Sequence, residues 1–119
     1  MEATYLTRRA DEAFEAVRAI NHATITSSHP APVVFDVLGS LKLLGPALGQ
    51  AFGQLGDGLG RSLDVYDVYQ DDDIDPARVV ARAIGLLGEA GKHARAMGFL
   101  LGEVQVVIAR QGYHDGGVS

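Results

Sequence analysis

The sequence predicts an all-α protein: an antiparallel helical hairpin or bundle of three to four helices, organised around a long C-terminal helix. Three observations carry this. Apolar residues recur at spacings of three and four through most of the chain, proline-bearing breaks at Pro30, Pro32 and Gly45-Pro46 separate the periodic segments, and Asp75-Pro76 supplies a helix start before the longest of them. A length of 119 residues suits a single domain, 1–119, able to bury a core without staples.

The first helix is expected over about 3–22. Ala3, Leu6, Ala10, Ala13, Val17 and Ile20 form its stripe, Phe14 widens it, and the outer face carries charges of both signs. A polar connector, 23–32, follows because Pro30 and Pro32 disfavour helix in the residues before them. A second helix, about 33–44, places Val34, Val37, Leu38, Leu41 and Leu44 on one side and stops at Gly45-Pro46. The third, about 46–69, carries Leu48, Phe52, Leu55, Leu59, Leu63 and Tyr66 on one stripe. Gly45, Gly49, Gly53, Gly56 and Gly60 recur beside it. Each glycine costs roughly 0.8 to 1 kcal/mol against alanine inside a helix, so a stripe of them implies close packing of backbone on a neighbour, the favoured reading, or a segment that is not continuously helical.

An acidic turn, 70–75, ends in Asp75-Pro76, an N-cap residue followed by proline at the first helical position. The fourth helix, about 76–111, then puts Val80, Ala83, Leu87, Ala90, Ala94, Met97, Leu101, Val104 and Ile108 at successive heptad positions, every one apolar. Helices two and three together match its length, which suggests a hairpin closed through the acidic turn with the first helix alongside. A tail, 112–119, is expected to fray.

Composition narrows the function. The absence of cysteine removes disulfides, thiolate metal sites and thiol catalysis. The N-terminus has no apolar run after Arg8 and Arg9, so no signal peptide is expected; the longest stretch free of Asp, Glu, Lys, Arg and His, Leu43 to Gly56, is shorter than a membrane crossing needs, so no span is expected. A cytoplasmic location fits both. A formal charge of -5 argues against a general phosphate-neutralising surface. The charge is uneven, with seven aspartates against Arg61 in 57–75 and five basic residues against Glu89 and Glu103 in 76–110. The abundance of Ala, Gly, Arg and Asp suits a GC-rich bacterial genome.

Motifs for chemistry fail in detail. Asp71, Asp73 and Asp75 have the opening spacing of a calcium loop, but Pro76 stands at the obligatory glycine and Arg82 at the bidentate glutamate. Read as a phosphate loop, the run from Gly53 to Ser62 has Leu55 for its first glycine and Arg61 for lysine; Arg61 also occupies the third glycine of a dinucleotide fingerprint, and no strand precedes either. His22, His29, His93 and His114 show no helical metal spacing, and neither a nucleophile elbow nor a di-iron repeat is present. No catalytic residue, cofactor site or metal site is therefore assigned. Lacking tryptophan, the chain also lacks the Trp-x-Gly turn of the WXG100 secretion substrates, and is not placed among them.

The leading expectation is a non-enzymatic interaction or assembly module that self-associates or takes a protein partner through the small-residue seam. Ala83, Leu87, Ala90, Gly91, Ala94, Met97, Gly98 and Leu101 are its candidate interface. The alternative is a regulatory or nucleic-acid-associated accessory protein using a basic face of Arg78, Arg82, Lys92 and Arg95. Tyr66, Tyr69 and Tyr113, near the hairpin ends, are expected to cap the core, with partner recognition as the alternative. A third possibility is a membrane-active protein, which the glycine-rich amphipathic third helix suggests.

Overall fold

The computed structural model describes residues 2–115, and these are all-α, with a long C-terminal helix. Four helices follow one another: α1 (Glu2–Thr24), α2 (Ala31–Leu41), α3 (Leu44–Val65) and α4 (Pro76–Ile108). Residues 116–119, part of the tail expected to fray, lie outside the described residues. The contacts divide the chain into two compact units, Met1–Pro30 and Ala31–Ser119.

The first unit is α1 with the connector that follows it. Two ion pairs run along its surface, Arg9 with Glu12 and Arg18 with Glu15 at 3.1 Å, and the Arg9 guanidinium lies 5.1 Å from the centroid of the Tyr5 ring. Leu6, Phe14 and Val17 of its apolar stripe are exposed, and Ile20 is half-buried. At its end the Thr24 hydroxyl donates to the Ile20 carbonyl at 2.8 Å.

The second unit is the hairpin. α2 starts at Ala31, two residues earlier than periodicity suggests, since Pro32 sits in the first turn, where no backbone N–H is needed. α2 and α3 are nearly one helix. The break falls at 42–43 because Pro46 has no N–H to give the Lys42 carbonyl, which accepts instead from Gly45 N at 3.2 Å. α3 stops at Val65, short of the expected 69; Tyr66 is extended at φ -116, ψ 156. The acidic turn is knitted by its own side chains: Asp72 accepts from Ile74 N at 3.2 Å and from the Gln70 amide at 3.3 Å, and Asp73 takes a positive φ of 63°. Asp75 caps α4, accepting from Ala77 N at 3.0 Å, and Pro76 follows at the first helical position.

α3 and α4 run antiparallel. Gly45 lies against Ala94 and Gly98, Gly49 against Gly91 and Arg95, and Gly56 against Leu87 and Ile84, so residue numbers fall along α4 as they rise along α3. α2 continues the layer onto the C-terminal end of α4. There the amide of Gln105, 6% exposed, donates to the Phe35 carbonyl at 2.8 Å.

Candidate docking face

The glycines decide how closely the hairpin closes. A methyl carbon on Gly45 would stand 2.6 Å from the Ala94 carbonyl oxygen and 2.8 Å from Gly98 Cα; one on Gly98 would stand 2.7 Å from the Lys42 carbonyl oxygen. The hydrogens in those places therefore point at carbonyl oxygens across the interface, in the geometry of weak Cα–H···O contacts. Gly49 makes room differently, with the Arg95 guanidinium where its side chain would be, 2.6 Å from Cζ.

This contact fixes the rotation of α4. The inner row is Val80, Ile84, Leu87, Gly91, Ala94, Gly98, Leu101, Gln105 and Ile108, alternating spacings of four and three. Val80, Gly91, Ala94, Gly98 and Gln105 are buried in it. Five of the nine heptad positions read from the sequence lie on this row. The other four, Ala83, Ala90, Met97 and Val104, belong to a neighbouring row: Ala83 is half-buried, and Ala90, Met97 and Val104 are exposed. The correction has a simple cause. A heptad template selects apolar side chains, whereas the closest approach of two helices selects the smallest ones, and the structure prefers Gly91 and Gly98 to Ala90 and Met97.

The neighbouring row is itself continuous: Val79, Ala83, Leu86, Ala90, His93, Met97, Leu100, Val104 and Val107 repeat the inner row one residue earlier. It is apolar except for His93. Leu86 and Leu100 are each 60% exposed and Val107 83%, against 7% for Val80 and 8% for Ala94 on the inner row. α3 repeats the arrangement. Its inner row of Gly45, Gly49, Phe52, Gly56, Gly60 and Leu63 is shadowed one residue earlier by Leu44, Leu48, Ala51, Leu55, Leu59 and Ser62, of which Leu44, Leu55 and Leu59 are exposed.

Both outer rows are displaced by one residue, about 100°, towards the N-terminus of their helices. The helices run in opposite directions and their inner rows face each other, so equal displacements bring both outer rows to the same side of the hairpin. That side is a broad apolar face. Phe99 and Val106 are exposed on the opposite flank of α4.

The sequence-derived interface candidates thus divide. Leu87, Gly91, Ala94, Gly98 and Leu101 stand on the row closed within the hairpin, while Ala83, Ala90 and Met97 belong to the outer row. Sequence reasoning missed Leu86, Leu100 and Val107, although two adjacent rows of identical spacing were the signal for them. The basic candidates do not form one patch: Lys92 reaches Glu89 at 3.5 Å, Arg95 folds over Gly49, and Arg78 and Arg82 are exposed farther along α4. Tyr66, Tyr69 and Tyr113 are all exposed. Among the described residues no three His, Asp or Glu side chains gather as a metal site requires. The concavities are open ones, such as that lined by Tyr69, Gln70, Asp71 and Asp72 in the acidic turn.

The run Ala31–Val65, where no span is expected from the sequence, is long and apolar enough to cross a membrane by length and composition, and little of it is buried. No protein-family model, curated protein or solved structure matches this chain.

Proposed function

We propose that this chain is a non-enzymatic helical interaction module whose docking surface is the outer apolar face of the α3/α4 hairpin. The observation that supports it is the pair of outer rows, regular over the length of both helices and exposed at Leu55, Leu86, Leu100 and Val107. Regularity matters here. Random exposed apolar residues need no explanation, whereas a row that keeps a four-three spacing over 79–107 has the form of a helix-packing seam. The small-residue row beside it serves to close the hairpin, which gives the outer rows a firm backing to present.

A protein partner suits this face better than lipid. Its α4 row is bordered by Arg82, Glu89 and Glu103, charges that a partner surface can match but a hydrocarbon interior cannot. Light scattering coupled to size-exclusion chromatography, run across a wide concentration range beside vesicle flotation, tests the reading. Concentration-dependent assembly, lost on placing a charge in the outer row, is the expected result. A monomer at every concentration that floats with lipid vesicles would assign the face to a membrane instead, and a monomer that binds neither vesicles nor protein would overturn the reading.

A further inference from the structure

We infer that the occupant of the outer face is a second copy of this chain, laid antiparallel so that α4 of one copy runs along α4 of the other about a two-fold axis between Lys92 and His93. The inference rests on the docking reading above and adds the partner and its register. Area makes a dimer feasible. The α4 row from Val79 to Val107 is about 42 Å long at the rise of a helix, and two helices side by side are roughly 20 Å across, giving a face on the order of 800 Å² per copy. That is about the share each partner contributes to a stable interface.

Charge chooses the orientation and register. The row bordering the outer seam on its solvent side is Arg82, Glu89, Ala96, Glu103 and Arg110, all exposed. Neither Arg82 nor Glu103 has an ion partner among the described residues. In an antiparallel pair the residues of this row face their own kind across the seam. With the axis between Lys92 and His93, Arg82 stands opposite Glu103 of the second copy, and symmetry makes the contact twice. Sliding one heptad one way sets Glu89 against Glu103 and Arg82 against Arg110 of the second copy. Sliding the other way sets Glu89 against its own equivalent and shortens the overlap. A parallel pair puts this row on opposite flanks of the seam, across from Val80, Leu87, Ala94 and Leu101 of the second copy, which offer Arg82 and Glu103 no charge.

Size agrees with charge in the same register. About that axis Ala83 falls level with the gap between Leu100 and Val104 of the second copy, and Ala90 with the gap between His93 and Met97, so the alanines meet larger residues. Alternation of this kind lets two rows interdigitate.

The chain contains no cysteine, so single-cysteine reporters have no background. Arg82→Cys and Glu103→Cys, each made in the full-length chain, are mixed and mildly oxidised. A disulfide-linked dimer from the mixture, with little from either variant alone, is the expected result. Cross-linking of either variant alone as readily as the mixture would mean another register and would overturn the inference. A dimer seen by light scattering that no combination cross-links would also overturn it, leaving the docking face itself intact. A charge exchange gives a second readout at exposed positions that do not perturb folding: Arg82→Glu and Glu103→Arg each weaken dimerisation about three- to tenfold, and the double variant restores it. Failure of restoration would count against the register, whereas loss of assembly on charging Leu86 would still support the face.

Discussion

The two apolar rows of α4 are the same pattern one residue apart, yet one is closed and the other open. Size accounts for the difference. The inner row carries Gly91, Ala94 and Gly98 at its centre and meets Gly45 and Gly49, so the backbones themselves come into contact. The outer row places Ala90, His93 and Met97 at the same level and holds no glycine of its own to bring a helix of this chain that near. A helix can thus present two seams that differ in what they accept: glycine rows accept a backbone, and rows of Leu, Met and Val accept side chains that interdigitate with them.

The largest expected effect comes from filling the closed row. Gly98→Leu drives a side chain into the Lys42 carbonyl and Gly45 Cα, and both obstacles are backbone, so the hairpin must open instead of repacking. A loss of at least about 3 kcal/mol is expected, a large part of the stability of a domain this size. Circular dichroism with thermal melting checks it; a variant that melts within a few degrees of the parent would mean that the helices do not approach as closely as Gly45 and Gly98 imply.

Charging the open row should do the converse. Leu86→Glu combined with Leu100→Glu alters two side chains that are already mostly solvated, so the melting of the monomer shifts little, while assembly weakens by at least about a hundredfold if both lose their apolar contacts at an interface. Sedimentation equilibrium separates the two quantities. A double variant that unfolds would make the outer row part of the core and erase the contrast with the inner one.

Between these extremes lies Gln105, the buried polar residue at the far end of the inner row. Its amide, 2.8 Å from the Phe35 carbonyl, is a tie between α2 and α4, and a methyl on Gly39 would stand 3.3 Å from the same nitrogen. Gln105→Ala is expected to cost about 1 to 2 kcal/mol. The loss should be local. Hydrogen exchange should quicken in α2 while amides of α3 around Gly49 keep their protection, since the glycine contacts are untouched.

What the sequence disclosed follows the same division. Helix starts were legible where a residue's chemistry forces them, as Asp75 and Pro76 do for α4, and the glycine stripe of α3 announced a close approach. The rotation of α4 was half legible. Val80, Leu87, Ala94, Leu101 and Ile108 were placed on the packed row, but the alternate positions went to Ala90, Met97 and Val104 because hydrophobicity ranks them above Gly91, Gly98 and Gln105. Contact distance reverses that ranking, and it depends on which residues the opposing helix offers. The end of α3 was overextended for a related reason: Tyr66 continues the apolar period, yet it lies beyond the last residue that α4 can cover, and the chain turns extended there.

The smallest expected effect concerns glycines that take no part in either row. A methyl on Gly53 or Gly88 meets nothing within 4 Å, unlike one on Gly45 or Gly98. With no steric cost, Gly53→Ala and Gly88→Ala should each stabilise the hairpin by up to about 1 kcal/mol, the helix-propensity difference alone. Both positions also lie off the outer row, so assembly should be unchanged in the same variants. Thermal melting and light scattering together make the test sharp. Stabilisation without any change in assembly would confine packing to the two rows already described, whereas weakened assembly from so small a side chain would place a second close backbone approach on the opposite flank, beside Phe99 and Val106.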